Sequence, residues 1–269
     1  EGEVIMVGNG ELLILDSDGA ELSRAEVGGE RTSPPCAADF NGDGQTEIAW
    51  AGQNVFVVYS LDGTELWRQT VQDESGLSGC AGYDINGDGS YEIVYSDEQH
   101  FYIFDGANGD IHYVYEGHKS ATAFEYPSIA DVDGDGSAEI LFTSNFNVFK
   151  GTRRSLTVLG HDGDGWARSG STWPNHDFAV TNVNDDATLP AGIPTYWLDQ
   201  NVYRARPMMD TWTRSVDLKA SITDVCFEGC SDTSRVQVAI DFANYGLDDS
   251  ILGVPVSLYG IDGDEITLI

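Results

Sequence analysis

Apolar residues along the first 160 positions fall into short runs, and polar, glycine-rich stretches separate them. The runs include Val4-Ile-Met-Val7, Leu12-Leu-Ile-Leu15, Ile48-Ala-Trp-Ala51, Val55-Phe-Val-Val-Tyr59, Phe101-Tyr-Ile-Phe104 and Ile140-Leu-Phe142. They are rich in β-branched and aromatic residues, and Asp-Gly pairs such as Asp18-Gly19, Asp62-Gly63 and Asp105-Gly106 follow several of them. Such runs predict strands joined by tight turns. No stretch sustains the spacing of an amphipathic helix.

The pattern repeats. Glu3 to Asp18 and Glu47 to Asp62 are both 15 residues apart, so the chain opens just inside a repeat unit. Further units begin at Glu92-Ile-Val-Tyr and at Glu139-Ile-Leu-Phe. Each holds three or four short strands over about 45 residues, the period of a β-propeller blade rather than of a β-sandwich.

Ahead of each full unit lies a nine-residue acidic loop, present three times and starting at Asp39, Asp84 and Asp131. Oxygen-bearing side chains occupy its positions 1, 3, 5 and 9, with glycine at 4 and 6. The first loop offers Asp39, Asn41, Asp43 and Glu47, the second Asp84, Asn86, Asp88 and Glu92, the third Asp131, Asp133, Asp135 and Glu139. Gln45, Ser90 and Ser137 stand at position 7, where a backbone carbonyl would serve. Hard oxygens curled around glycine turns suit Ca²⁺, which takes six to eight such ligands. Asp, Asn and Gly also build ordinary turns, but three copies in register, each followed by isoleucine, point to about three bound Ca²⁺ ions.

Residues 171–214 break the repeat with four prolines and a degraded loop at Asn182-Val-Asn184, and read as a modified blade or a packing segment. From Val216 alternating strands return: Leu218-Lys-Ala-Ser-Ile-Thr-Asp-Val225 and Arg235-Val-Gln-Val-Ala-Ile-Asp-Phe242. They predict an immunoglobulin-like sandwich, although the 54 residues remaining fall short of the roughly 100 such a domain uses. The expected domains are therefore residues 1–215 and 216–269. The expected fold is all-β, an incomplete set of about four to five propeller blades followed by a partial Ig-like sandwich.

Composition narrows the partners. A net charge of −32, with three lysines in 269 residues, argues against nucleic acid or an anionic membrane surface. Ten of the 45 acids lie in the three loops, and three Ca²⁺ would bring the charge from −32 only to about −26. No apolar run approaches the roughly 20 residues of a membrane span. Cys36 and Cys80 hold nearly the same place in successive units, and two readings stand, a pair across neighbouring strands or two buried thiols. Cys226 and Cys230 have the spacing of a small local disulfide.

The blade with its Asp-x-Asn-Gly-Asp-Gly-x-x-Glu-Ile loop resembles the FG-GAP/VCBS repeats of integrin α-subunit propellers and bacterial surface proteins, over roughly residues 1–190. Residues 216–262 resemble, more loosely, the Ig-like CARDB module. The resemblance implies calcium at the fifteen loop positions named above and a secreted or cell-surface location. It implies adhesion or scaffolding through an extracellular protein or glycan, without catalysis or membrane insertion. No nucleophile elbow or zinc-helix motif is present, and the five histidines are scattered; His118, beside Lys119 in a loop, is the one expected to be most exposed. Trp67 and Trp166, at equivalent turns, are expected to pack between blades rather than stack on sugar. Two other readings stay open: a polysaccharide-processing enzyme or its carbohydrate-binding subunit, and a fibre subunit that self-assembles through incomplete blades or the Ig-like module.

Overall fold

A computed structural model describes residues 2–27, 29, 31–121, 124–144, 156–161, 166–184, 188–192, 195, 197, 201–206, 218–226, 237–244, 259–262 and 265–268. The chain is all-β, made of small antiparallel sheets, with no α-helix among the described residues. It divides into two compact units, Glu1–His161 with Trp166–Thr211, and Asp162–Gly165 with Trp212–Ile269.

The first unit carries four successive meanders. Sheet 1 holds β1 (Val4–Gly8), β2 (Glu11–Leu15) and β3 (Glu21–Glu26). Sheet 2 holds β4 (Cys36–Ala38), β5 (Glu47–Gly52), β6 (Val55–Ser60) and β7 (Glu65–Thr70). Sheet 3 repeats that order with β8 (Cys80–Tyr83), β9 (Glu92–Ser96), β10 (Phe101–Phe104) and β11 (Ile111–Tyr115). Sheet 4 holds β12 (Ser128–Ala130), β13 (Glu139–Thr143) and β14 (Leu156–Leu159). Each acidic loop joins the first two strands of its sheet. Register repeats with the sequence: Ala38 pairs with Glu47, Tyr83 with Glu92 and Ala130 with Glu139. So does an irregularity. The pairing slips between Ile14 and Leu15, between Val58 and Tyr59, and between Ile103 and Phe104, always eleven residues after the equivalent glutamate.

Burial explains the continuous apolar runs. Every residue of β5, β9 and β10 is buried, because sheets 2 and 3 are covered on both faces. One cluster packs Leu12 and Ile14 of sheet 1 against Ile48, Trp50, Val57 and Tyr59 of sheet 2. Another joins sheets 2 and 3 through Phe56, Trp67, Tyr95 and Phe104. Trp67 lies between blades as expected; its indole N–H donates to the Gly106 carbonyl at 2.7 Å, and its ring stacks near Phe56. Gly109, at φ 78°, comes so close that a Cβ there would sit 2.5 Å from the Trp67 ring. Trp166 is half-buried and lies beside the third loop, its backbone joined to the Ser137 hydroxyl. The end sheets alternate, and each leaves apolar side chains outward, Val4 and Met6 on β1, Leu156 and Val158 on β14.

The first strands of sheets 2, 3 and 4 lie against one another, β4 on β8 and β8 on β12. A disulfide joins Cys36 to Cys80 with Cα atoms 5.7 Å apart, which decides between the two readings of those cysteines. Residues 201–206 then lace the same strands from far along the chain. Tyr203 and Ala37 exchange two backbone hydrogen bonds, and Gly82 bonds the backbone of Arg204 and Arg206. Arg206 Nε donates to the Ile129 carbonyl at 2.7 Å, and Asn201 bonds Thr46. Residues 201–206 thus run across the existing blades. Arg204 is fully buried, held by the Cys80 carbonyl and by the face of Tyr126 at 4.5 Å.

The expectation for His118 is overturned. It is fully buried, donating through Nε2 to the Asp97 carbonyl at 2.9 Å and accepting at Nδ1 from the Ser144 hydroxyl at 3.0 Å. Burial lowers its pKa to about 4. A neighbouring lysine marked it as a loop residue, but the loop tucks the ring against Phe142.

In the second unit β15 (Leu218–Cys226) pairs with β16 (Gln237–Asn244), and β17 (Tyr259–Asp262) with β18 (Glu265–Leu268). These are two antiparallel hairpins. Residues 227–236 and 245–258, which carry Cys230 of the expected local disulfide and much of the Ig-like expectation, lie outside the described residues, as do residues 185–187 beside the degraded loop.

Two outcomes follow. The disulfide closes a loop of 44 residues, so replacing both cysteines by alanine should cost about 4 kcal/mol on a chain-entropy basis, read by urea unfolding; an unchanged midpoint would refute it. For His118, the folded pKa of about 4 lies below the unfolded value near 6.5, so its contribution is full above pH 6.5 and disappears as pH falls towards 4. The stability gap between wild type and His118→Gln should therefore shrink by about 3 kcal/mol between pH 7 and pH 4.

Candidate metal centres

The three loops share most of their internal hydrogen bonds. At position 1 the carboxylate turns inward and takes backbone N–H groups on both oxygens. Asp39 accepts from Asp43 at 3.0 Å and Gly44 at 2.8 Å. Asp84 accepts from Gly87 at 2.7 Å and Gly89 at 3.0 Å, and Asp131 from Gly134 at 2.7 Å and Gly136 at 3.0 Å. The side-chain oxygen at position 3 accepts from the N–H of position 5, and position 5 from position 7. Both glycines in every loop have positive φ, from 73° at Gly42 to 97° at Gly89, where a side chain would be strained.

The glutamate at position 9 closes the loop. Its Oε2 accepts the N–H of position 2: Glu47 from Phe40 at 2.9 Å, Glu92 from Ile85 at 2.7 Å, Glu139 from Val132 at 2.9 Å. All three glutamates are buried, and burial raises their pKa values. Glu47 reaches about 7, burial being reinforced by Asp43 and Asp39, and Glu92 about 7, with Asp84 and Asp88 adding to burial. Glu139 shifts the same way through burial and then Asp133, Asp135 and Asp131. A buried carboxylate beside others resists ionising, and a cation among them removes that penalty.

The loops differ at position 3. Asn86 turns its amide onto Glu92 Oε1 at 2.7 Å, so a donor NH₂ faces the closing acid. Loop 1 carries the equivalent Asn41, whose amide approaches Asp43 at 3.3 Å. Loop 3 has Asp133 instead, and there Asp131, Asp133 and Glu139 bring one oxygen each within 4.8 Å of one another. Ca–O distances are roughly 2.4 Å, so a small inward movement of these side chains would let all three oxygens share one ion. Donor chemistry therefore fits a hard cation best in loop 3, which carries four acids against three in each of the others, although the Arg168 guanidinium beside Gly136 opposes it.

The fifteen sequence-predicted positions lie on three separate loops, five to each, and among the described residues Asp131, Asp133 and Glu139 are the acids grouped closely enough to share an ion. Sequence reasoning missed two buried acids outside them. Asp73 accepts from the Tyr95 hydroxyl at 2.8 Å and from Gly76, and Asp97 accepts from Gln72 and His100. Both lie fully buried beside sheet 3. Neither sits in a recurring motif, so nothing marked them.

Residues 39–95 match the family model for the FG-GAP-like repeat. They span the first two acidic loops and the blade between them. No curated protein sequence matches the chain. Among solved structures it is similar to the Vibrio cholerae biofilm matrix protein Bap1, at 23% identity and a TM-score of 0.55, over 61% of this chain and 28% of Bap1. The chain thus spans little more than a quarter of Bap1, and at this identity the likeness concerns the fold, which is β-propeller-like. Weaker matches are BamB from Moraxella catarrhalis, at 14% identity and TM-score 0.37 over 67% of this chain and 63% of BamB, and the Neurospora crassa Pan2 WD40 domain, at 17% and 0.35 over 59% and 45%.

With divalent ions removed at pH 8, Glu47→Gln should melt at or above wild type, since it deletes an acid ionised against its surroundings. A large loss of melting temperature would show that the charge stabilises the ion-free loop.

Proposed function

We propose that this chain is a calcium-braced, non-catalytic part of an extracellular surface or matrix protein, presenting rigid blades to a protein or glycan partner. The observation that carries the reading is the threefold recurrence of the acidic loop, each copy closed by a buried glutamate of raised pKa. Asp39, Asn41, Asp43, Gln45 and Glu47 would hold one ion, and the equivalent residues of the other two loops one each. Bound calcium supplies positive charge that balances three or four crowded carboxylates; the chain's own work is to fix the turn between the first two strands of a blade. Ligand sets of this kind, on open loops, suit the high calcium found outside cells. The disulfide agrees with an oxidising compartment.

A non-catalytic role is supported by how the remaining buried acids are used. Asp73 and Asp97 are saturated by tyrosine hydroxyls and backbone N–H groups, the arrangement of structural acids. The FG-GAP-like repeat and the fold likeness to a matrix protein favour an adhesive role over the carbohydrate-processing alternative.

Calcium at ten times its Kd in all three loops should stabilise the chain by roughly 4 kcal/mol, a rise of about ten degrees in Tm. Calorimetry in calcium and then in EDTA, with ion counting by mass spectrometry, tests this. About three ions and a reversible rise support the reading. An unchanged Tm would reduce the loops to turns.

A further inference from the structure

Asparagine is followed by glycine four times in the chain, at Asn9-Gly10, Asn41-Gly42, Asn86-Gly87 and Asn108-Gly109. Such a pair can react with its own backbone, the glycine nitrogen attacking the side-chain carbonyl carbon. Glycine has no Cβ to obstruct that approach. Two features favour the attack: a donor that polarises the carbonyl and receives the charge developing on its oxygen, and a glycine N–H that no acceptor already holds. The fold distributes these features unevenly over the four pairs.

Asn9 and Asn108 sit in turns whose glycines are buried. Among the described residues no hydrogen bond polarises the Asn9 side chain, and the Gly10 carbonyl is fixed by the Val27 N–H at 2.7 Å. Asn108 accepts from the Asp110 N–H at 2.7 Å, but its nucleophile is engaged, because the Gly109 N–H donates to the Asp105 carbonyl at 2.8 Å. The two loop asparagines both have a polarised carbonyl. Oδ1 of Asn86 accepts the Asp88 N–H at 2.8 Å, and Oδ1 of Asn41 the Asp43 N–H at 2.9 Å.

These two part at the nucleophile. The Gly87 N–H donates to the Asp84 carboxylate at 2.7 Å, and the Asn86 amide is held on Glu92 Oε1 at 2.7 Å. A nitrogen facing a carboxylate gives up its proton reluctantly, because the anion formed would meet like charge. In loop 1 the Asp39 carboxylate accepts from Asp43 and Gly44 instead. The Gly42 N–H has no hydrogen-bond partner among the described residues, and Gly42 is exposed to water. Only the Asn41 pair combines a polarised carbonyl with a free nucleophile.

We propose that Asn41 is a self-modification site, deamidating through Gly42 while the other three pairs stay intact. Solvent hydroxide takes the Gly42 amide proton and the nitrogen attacks Cγ of Asn41. The N–Cγ bond forms, the Cγ–Nδ2 bond breaks, and ammonia leaves with a proton from water, which restores hydroxide. Water then opens the cyclic imide at either carbonyl, leaving aspartate or isoaspartate. Either product gives loop 1 a fourth carboxylate, the number that loop 3 encodes with Asp131, Asp133, Asp135 and Glu139. Isoaspartate also lengthens the main chain by an atom beside loop 2, where a Cβ on Gly42 would already come 2.8 Å from Ser90 Oγ. The site rests on hydrogen bonding within the loops and not on the calcium reading.

The full chain, warmed at pH 8 in EDTA, is sampled over weeks, digested and read by mass spectrometry for amide-to-acid conversion at each asparagine. Asn41 should convert about tenfold faster than Asn86, the effect of one hydrogen bond that must break before the Gly87 nitrogen can attack. In urea the four pairs should convert at similar rates, since the preference belongs to the fold. Conversion at Asn9, Asn86 or Asn108 ahead of Asn41, no conversion at Asn41 while the urea sample converts, or the same lead for Asn41 in urea would overturn the proposal. Repeating the incubation in calcium separates this site from the calcium reading. Slowing at Asn41 agrees with an ion held by its Oδ1, and an unchanged rate keeps the site while removing the ion from loop 1.

Discussion

The glutamate that closes each acidic loop is the contact on which the blades depend. It sits at the start of a blade's second strand, pairs across to the last residue of the first, and takes the N–H of the residue after the loop's first aspartate. One side chain therefore fixes the length of the loop, the register of the hairpin and the inward turn of the first carboxylate. Its burial is the source of tension, since an acid in that place ionises only against desolvation and its neighbours. The loop that holds a blade together is thus also where negative charge is most concentrated.

Around that clamp the first strands must be thin. Cys36, Ala37, Ala38, Ala81 and Gly82 line the zone where sheets 2 and 3 meet and where residues 201–206 run across them. A Cβ on Gly82 would come 3.1 Å from the Phe40 ring and 3.3 Å from the Ala205 methyl. Small residues let three backbones approach within hydrogen-bonding distance, and the disulfide locks two of them. Large aromatics are displaced outward to the faces between blades, where Phe56, Trp67 and Phe104 fill the wedge.

Much of this was legible in the residues. Loop positions, the ends of the blade strands and the packing of Trp67 follow from a repeat whose period is set by covalent spacing. Long-range features left no such trace. Arg204 and Arg206 look like ordinary surface cations in sequence, but they enter the interior because carbonyls of Cys80 and Ile129 and the rings of Tyr126 and Phe178 receive them. His118 was misjudged for a related reason: its partners, Asp97 and Ser144, lie 21 and 26 residues away. Local polarity reports exposure well only when the partners are local too.

The lacing by residues 201–206 also sets an order of events in time. Ala37 and Tyr203 are bonded to each other but separated by 166 positions, so the second blade leaves the ribosome long before the residues that finish it. At roughly 5–20 residues per second, that interval is about ten to thirty seconds. During it, β4 and β8 have each other and the neighbouring cysteines, but not the backbone that later crosses them. A nascent chain of this design carries an unfinished seam along its middle, and closing that seam is among the last steps by which the first unit becomes a single cooperative body.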